Sequence, residues 1–399
     1  MKTVMILGGN DSELPVIERA MEFGHRVVVV DRDENSPGLK LKGVIAENSS
    51  ISDKEEVLRL AQKYSIDGIV PSVDAGVRSA AYVARVMGLP GITEEAALWG
   101  TDKTHMRKKV SARGLPVPKF AIVNTYEEYK AAIADFDGKC VVKAPDTSGS
   151  RGIYRVNDTH NAEETDYAYN YCKEYSGSGE LLIEELMQGL EICVETLNSK
   201  GVCYPIQISD EKYKEPPFFI DCGYSQPSVL DADMQARIRQ IAVEANMAIE
   251  NFQGSSCTEM IVTEEGPKIV EIGVRLAADF MTTKMVPLSN GVDMPGAVIK
   301  IALGEDIDVT PTREAGSCIR YFMKERVGKI VEIKGVEEAR KVPGVVQVGV
   351  LKKVGDTAVP LRKSADRLAF VLTQGATNAE AVAAAEKAVG LIDFVVEEE

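Results

Sequence analysis

The chain is poor in the patterns that most quickly assign a function. None of its seven cysteines, Cys140, Cys172, Cys193, Cys203, Cys222, Cys257 and Cys318, forms a C-x-x-C pair, which argues against a zinc knuckle or a thioredoxin-like site. Their odd number and scatter suit reduced thiols in a cytoplasm. No apolar run approaches the ~18 residues a membrane helix needs, and Met1–Gly9 reads as a buried strand ended by Gly8-Gly9-Asn10 rather than as a secretion signal. The net charge of −15 leaves no basic surplus for nucleic acid. A Walker A loop is missing, and Gly8-Gly9-Asn10-Asp11-Ser12-Glu13 lacks the third glycine of a dinucleotide fingerprint, although Asp31 stands where a ribose acid would.

What is present is a strand–helix alternation over residues 1–100. Val4–Leu7, Arg26–Asp31 and Gly68–Pro71 are apolar or β-branched runs, as expected of strands buried on both faces. Helices are predicted from about Glu13 to Phe23, over Asp53–Tyr64 with Ser52 as cap, and over Ala75–Met87. Such alternation predicts a parallel, doubly wound sheet. Further helices are expected around Ala162–Tyr175, Asp231–Glu250, Pro295–Leu303 and Ala376–Val389, and strand pairs at Leu181–Glu185 with Glu191–Leu197 and at Cys257–Val262 with Lys268–Glu271. Residues from about 310 read as a small α+β end domain after a Thr310-Pro311-Thr312 linker.

Four features carry chemistry, and their order matters. Val141-Val142-Lys143 places a lysine in an apolar strand, which is costly unless it snorkels or meets an anion. Thr147-Ser148-Gly149-Ser150-Arg151-Gly152 follows at once; small residues let backbone N–H groups close round phosphate oxygens, though a plain hairpin turn has the same look. Leu181-Leu182-Ile183-Glu184-Glu185-Leu186-Met187 suits an adenine slot, with Glu191 in reach of a ribose hydroxyl. Glu259 and Glu271 sit on neighbouring strands where both carboxylates can cover one spot, an arrangement that asks for a divalent cation between them. Arg275 lies four residues on and offers a fork for phosphate or carboxylate.

Taken together these residues resemble the ATP-grasp superfamily. The resemblance implies an α/β protein with an α+β lid: a Rossmann-like pre-ATP-grasp domain over 1–100, an ATP-grasp domain of two subdomains over 101–309 with its lid at about 115–187, and a small α+β C-terminal domain over 310–399. It implies ATP contacts from Lys103, Lys143, Ser148, Gly149, Ser150, Arg151, Gly152, Glu184, Glu185, Leu186, Met187 and Glu191, metal ligands at Glu259 and Glu271, and catalytic roles for Lys143 and Arg275. The C-terminal segments G-K-I-V-E-I-K-G-V-E-E-A and T-Q-G-A-T-N-A-E-A-V-A-A-A-E-K-A are similar to those of amino-acid ligases. Two positions depart from the pattern: Gly273 stands where many members carry a metal-binding Asn, and Tyr224 lies where related ligases carry His.

The activity so implied is an ADP-forming carboxylate–amine ligation through an acyl phosphate, using ATP with Mg²⁺ (or Mn²⁺), in a cytoplasmic homodimer that acts on small molecules and binds neither nucleic acid nor membrane. Substrate contacts are expected from Tyr224, Arg275, Lys212 and Arg320, with residues 207–228 crossing the pocket. The alternatives are a purine-pathway or carbamoyl-phosphate-synthetase-like enzyme, a catalytically silent nucleotide-binding regulator, and an NAD-dependent oxidoreductase using Gly8-Gly9 and Asp31.

Overall fold

The computed structural model of the protein describes residues 1–136, 138–214 and 217–397. Its first unit is a parallel sheet of β1 (Thr3–Leu7), β2 (Arg26–Asp31), β3 (Ile45–Asn48) and β4 (Gly68–Pro71) in the order β3-β2-β1-β4. Helix α1 (Leu14–Glu22) connects β1 to β2, α2 (Lys54–Tyr64) connects β3 to β4, and α3 (Asp74–Met87) leads out of β4. The β-branched runs behave as expected: Val4, Val28 and Val29 are fully buried. The cap of α2 is Asp53, not Ser52; the Asp53 carboxylate accepts from the N–H groups of Glu55 and Glu56 at 3.1 and 3.2 Å, while the Ser52 hydroxyl faces that of Ser50. A carboxylate outcompetes a neighbouring hydroxyl for that helix end because it carries full charge toward the positive dipole.

The turn after β1 closes on its own chain. Gly9 N–H donates to the Asp31 carboxylate at 2.8 Å, and a Cβ on Gly9 would meet the Ser36 hydroxyl at 2.8 Å. Asp31 also accepts from Asp33 N–H at 2.9 Å, so the acid that a dinucleotide ribose would need is already engaged with backbone.

After α4 (Glu94–Trp99) and α5 (Lys103–Ala112) comes the lid. It is an antiparallel sheet β5-β8-β6-β7, formed by β5 (Phe120–Val123), β6 (Cys140–Lys143), β7 (Ile153–Val156) and β8 (Leu181–Glu185), and covered by α6 (Tyr126–Ile133) and α7 (Ala162–Tyr175). The large sheet then runs through β9 (Leu190–Ser199), β10 (Val202–Tyr213), β11 (Asp221–Gln226) and, past helix α8 (Ala232–Ala248), β12 (Gly254–Thr263), β13 (Gly266–Gly273) and β14 (Gly316–Tyr321).

The end of the chain is woven into that sheet. With β15 (Gly328–Lys334), β16 (Val345–Val350), β17 (Thr357–Ala358), β18 (Ala369–Gly375) and β19 (Asp393–Glu397), the eight-stranded order is β13-β12-β9-β10-β11-β14-β18-β16, and only β17-β15-β19 form a separate sheet. Gly223–Gln226 of β11 pair with Arg320–Ser317 of β14. The expected boundary at 310 falls in the segment that leads from the helix Met294–Ala302 into β14, a strand of the large sheet. The segment expected to cross the pocket proves to be β10 and β11 rather than a loop; Glu215 and Pro216 within it lie outside the described residues.

Candidate active site

A cleft of about 760 Å³ lies where the first unit, the lid and the large sheet meet. Its two ends are built differently.

At one end the lid supplies cations. The pleat puts Lys143 of β6 and Glu184 of β8 on the same sheet face, since Val141 pairs with Glu184 and Lys143 with Leu182. Lys143 Nζ lies 2.6 Å from the Glu184 carboxylate, and Arg107 of α5 grips the other carboxylate oxygen. Burial opposes the charge on Glu184, yet Arg107 and then Lys143 outweigh it and hold the carboxyl below its usual range. Glu184 lines the cleft at 1% exposure, with both carboxylate oxygens engaged by cations. Arg107 was absent from the sequence reading. Its spacing of four residues from Lys103 on one helix is the signal that places both on one face.

Lys103 opens α5, whose cap Asp102 accepts from the N–H groups of Thr104 and His105 at 3.0 Å each. Lys103 Nζ donates to Thr147 O at 2.7 Å and lies 2.9 Å from the Glu271 carboxylate. Ser148, Gly149, Ser150 and Arg151 line the cleft, as do Glu185, Leu186, Met187 and Glu191. Burial pushes Glu191 up to about 7. Gly152 does not line it: a Cβ there would meet Tyr175 Cβ at 2.7 Å and Ala144 Cβ at 2.9 Å, so this glycine serves packing at a left-handed φ of +64° instead of phosphate contact.

On the floor, Glu259 of β12 and Glu271 of β13 are direct cross-strand partners. Burial, and then the facing charge of Glu271, push Glu259 well above the usual carboxylate range. Two opposed buried acids, one raised by burial and by the charge of the other, fit a divalent cation that completes its shell with phosphate oxygens. At Gly273, the position where many ATP-grasp members carry Asn, an added Cβ would lie 3.0 Å from Cys257 Sγ and 3.5 Å from Arg275 Cζ. The thiol and the guanidinium fill the space an Asn side chain would need. Arg275 Nη1 donates to Cys257 Sγ at 3.1 Å, and a hydrogen bond from Cys193 brings that thiol down to about 7.

The other end is rich in acids. The Arg275 guanidinium is forked onto Asp74 at the start of α3, with Nε at 3.0 Å and Nη2 at 3.2 Å from its two carboxylate oxygens. Asp279 is forked by Arg367 at 2.7 and 2.8 Å and accepts from the Tyr224 hydroxyl at 3.4 Å. Asp279 and Phe280 both hold left-handed backbone, with φ of 57° and 63°. Burial raises Asp221 to about 6 despite nearby Arg367, and burial followed by the charges of Glu259 and Asp221 pushes Glu211 well above its ordinary value.

Two of the expected substrate residues stand elsewhere. Glu211 and Tyr224 are cross-strand partners on the cleft side, so Lys212 and its partner Gly223 face away; Lys212 Nζ pairs with Glu386 at 3.0 Å on the outer face. Arg320 lies opposite Gly223 on that same outer side, with Nε 2.9 Å from Glu386. One residue of register separates each from the pocket. Asp74, Asp279 and Arg367, none of them picked out by the sequence reading, occupy the cleft instead. The run Arg275-Leu276-Ala277-Ala278-Asp279 was the available signal for the second, and nothing local marked Arg367.

A family profile described as the ATP-grasp domain matches residues 100–279. This stretch of the chain carries an ATP-grasp domain. A second profile, L-amino acid ligase C-terminal domain 2, matches residues 320–397, beginning inside β14. Among relatives of the chain, the uncharacterized protein y4rH of Sinorhizobium fredii is 26% identical over 86% of this chain and 70% of its own length. The L-arginine-specific L-amino acid ligase of Bacillus subtilis is 23% identical over 79% of this chain and 77% of its own. Some other curated relatives are spanned over only 58% of their length. The L-amino acid ligase of Bacillus licheniformis shares the ATP-grasp fold, with a TM-score of 0.84 at 20% identity, covering 100% of this chain and 99% of that one. No helix among the described residues is long and apolar enough to cross a membrane.

Proposed function

We propose that this protein is an ADP-forming carboxylate–amine ligase that works through an acyl phosphate, with amino acids as substrates. The observation that carries the reading is the direct opposition of Glu259 and Glu271 in a cleft that also holds Lys103, Lys143 and Arg275. ATP lies between lid and floor, with its phosphates toward Lys103, Lys143 and the Ser148–Arg151 loop and its base toward Glu185–Met187. Glu259 and Glu271 would hold Mg²⁺, which would supply charge neutralisation to the outer phosphates; Mn²⁺ suits the same oxygen donors.

The substrate carboxylate attacks the γ-phosphorus, and ADP leaves. An amine then attacks the acyl carbon, phosphate departs, and the amine gives up a proton as the amide forms. Phosphoryl transfer of this kind rests on positioning and charge neutralisation. Lys103 and Lys143 offset charge at the triphosphate, while Arg275 steadies the acyl phosphate. The lid loop excludes water from an intermediate that water would hydrolyse. Tyr224, Asp279 and Arg367 form the wall that meets the substrate.

A reading with formate, bicarbonate or a purine precursor as acyl acceptor of phosphate stands beside it, because the nucleotide end is indifferent to the acyl group. Seven free cysteines suit a reducing cytoplasm, and a homodimer is the assembly we propose for it. Release of ADP that depends on a carboxylate, screened over amino-acid pairs, formate, bicarbonate and purine intermediates with product mass measured, tests the reading. ATP binding without ADP release on any of these would leave a silent nucleotide binder.

A further inference from the structure

The arginine that a ligase needs for its substrate already holds a carboxylate. Arg275 binds Asp74 through two parallel contacts of 3.0 and 3.2 Å, and this acid comes from the first unit, not from the ATP-grasp domain. Burial disfavours the charge on Asp74, but Arg275 outweighs it and keeps the carboxyl below its usual range. Around the pair the first unit adds Glu13, a buried acid whose carboxyl burial drives upward, and Ser72, whose buried hydroxyl has no hydrogen-bond partner among the described residues. Both line the same cleft. The Ser148 side chain of the lid loop also helps hold the Asp74 carboxyl down, and it lines the same cleft.

A carboxylate that docks on Arg275 takes part of the fork away from Asp74. A bare carboxylate leaves Asp74 with less positive charge than before, only Lys103 still acting on it, and a buried acid that loses its paired cation is expensive. An α-amino acid brings its own replacement cation, since its ammonium sits on the carbon next to the carboxylate. We propose that Asp74 and Arg275 form a recognition pair for an α-amino acid zwitterion, with Arg275 taking the carboxylate that is phosphorylated and Asp74, assisted by the Ser72 hydroxyl, taking the ammonium. The acyl donor is then an amino acid with a free α-amino group, and formate, bicarbonate and des-amino acids are poor donors. This rests on the ligase reading above and names its first substrate.

Hydroxylamine tests it without knowledge of the second substrate, because it attacks an acyl phosphate to give a hydroxamate and phosphate. The full-length protein with MgATP is offered each proteinogenic amino acid and its des-amino counterpart, such as L-alanine with propanoate and L-leucine with 4-methylpentanoate, together with formate and bicarbonate. The expected result is a hydroxamate from at least one amino acid, with kcat/KM at least about 100-fold above that of its des-amino partner, as for a site built around a substrate's polar group. Asp74→Asn should collapse that ratio to below about tenfold, mainly through KM for the amino acid, and Asp74→Glu should preserve it; MgATP affinity by calorimetry checks that each variant is folded. Equal turnover of an amino acid and its des-amino partner by the unaltered protein overturns the inference and leaves the ligase reading standing. So does turnover confined to formate or bicarbonate, or a ratio unchanged in a folded Asp74→Asn. Absence of hydroxamate and of ADP with every carboxylate overturns the ligase reading itself, and the inference with it.

Discussion

The two ends of the cleft handle buried charge in opposite ways. At the nucleotide end the buried acid Glu184 has two cations on it, and its carboxyl is held below the usual range. At the substrate end Asp221 and Glu211 are pushed upward, Asp221 to about 6, because burial acts on them without enough positive charge to offset it. A triphosphate arrives heavily charged, so a site for it is arranged with its own acids already neutralised and lysines to spare. The substrate end keeps unneutralised acids, which favours ligands that carry a cation of their own.

The largest effect that would break this contrast lies on the floor between the two ends. Glu271→Gln is expected to lower ATP turnover by about a thousandfold or more, since charge stabilisation by a held cation is worth several kcal/mol; ADP release close to that of the unaltered protein would remove the metal assignment. Next, Lys143→Met strips one of the two cations from a carboxylate that is 1% exposed. It should cost about 3 kcal/mol in denaturant titration and raise the Kd for MgATP by about tenfold or more in calorimetry. Arg367→Met is its counterpart at the acid-rich end. It should raise KM for the acyl donor by about tenfold, as expected on losing a charge-assisted contact, while the Kd for MgATP stays within about twofold; parallel changes in both constants would erase the distinction between the ends.

A smaller effect separates stability from chemistry. Glu195 is fully buried, and burial raises its carboxyl to about 8, against the hydrogen bond from Ser209. A folded-state value above the unfolded one means that the favourable contribution is complete at low pH and is lost as pH rises from about 4.5 towards about 8. Glu195→Gln removes that loss, so its Tm advantage over the unaltered protein should grow by roughly 3 °C between pH 5 and pH 9. A Tm difference that shrinks with pH would reverse the assignment. The smallest expected change is that of Lys212→Ala, which lies on the outer face and should leave kcat/KM within about twofold.

How far the sequence could be read followed the range over which each feature is decided. Strand β2 at Arg26–Asp31 and helix α7 at Ala162–Tyr175 were legible to the residue, because a β-branched run and a capped amphipathic stretch are local properties. The opposition of Glu259 and Glu271 was legible because one short hairpin sets it. Lys212 and Arg320 were misplaced because a strand shows two faces and composition alone does not say which is inward. The pairing of Glu184 with Arg107 and of Arg275 with Asp74 was hidden for a different reason. The partners lie 77 and 201 residues apart, and only the packed fold brings them together.

The path of the large sheet bears on how such a protein can be taken apart or recombined. Because β14 is zipped between β11 and β18, a nick in the exposed stretch around Thr312 would yield fragments still joined by a backbone ladder, not two free pieces. A fusion that exchanged everything after residue 310 for the matching part of another protein would have to supply strands able to continue an existing hydrogen-bond register, and with them the arginine that grips Asp279. The tail is thus inherited together with the pocket wall it completes, and cannot be traded as a cassette.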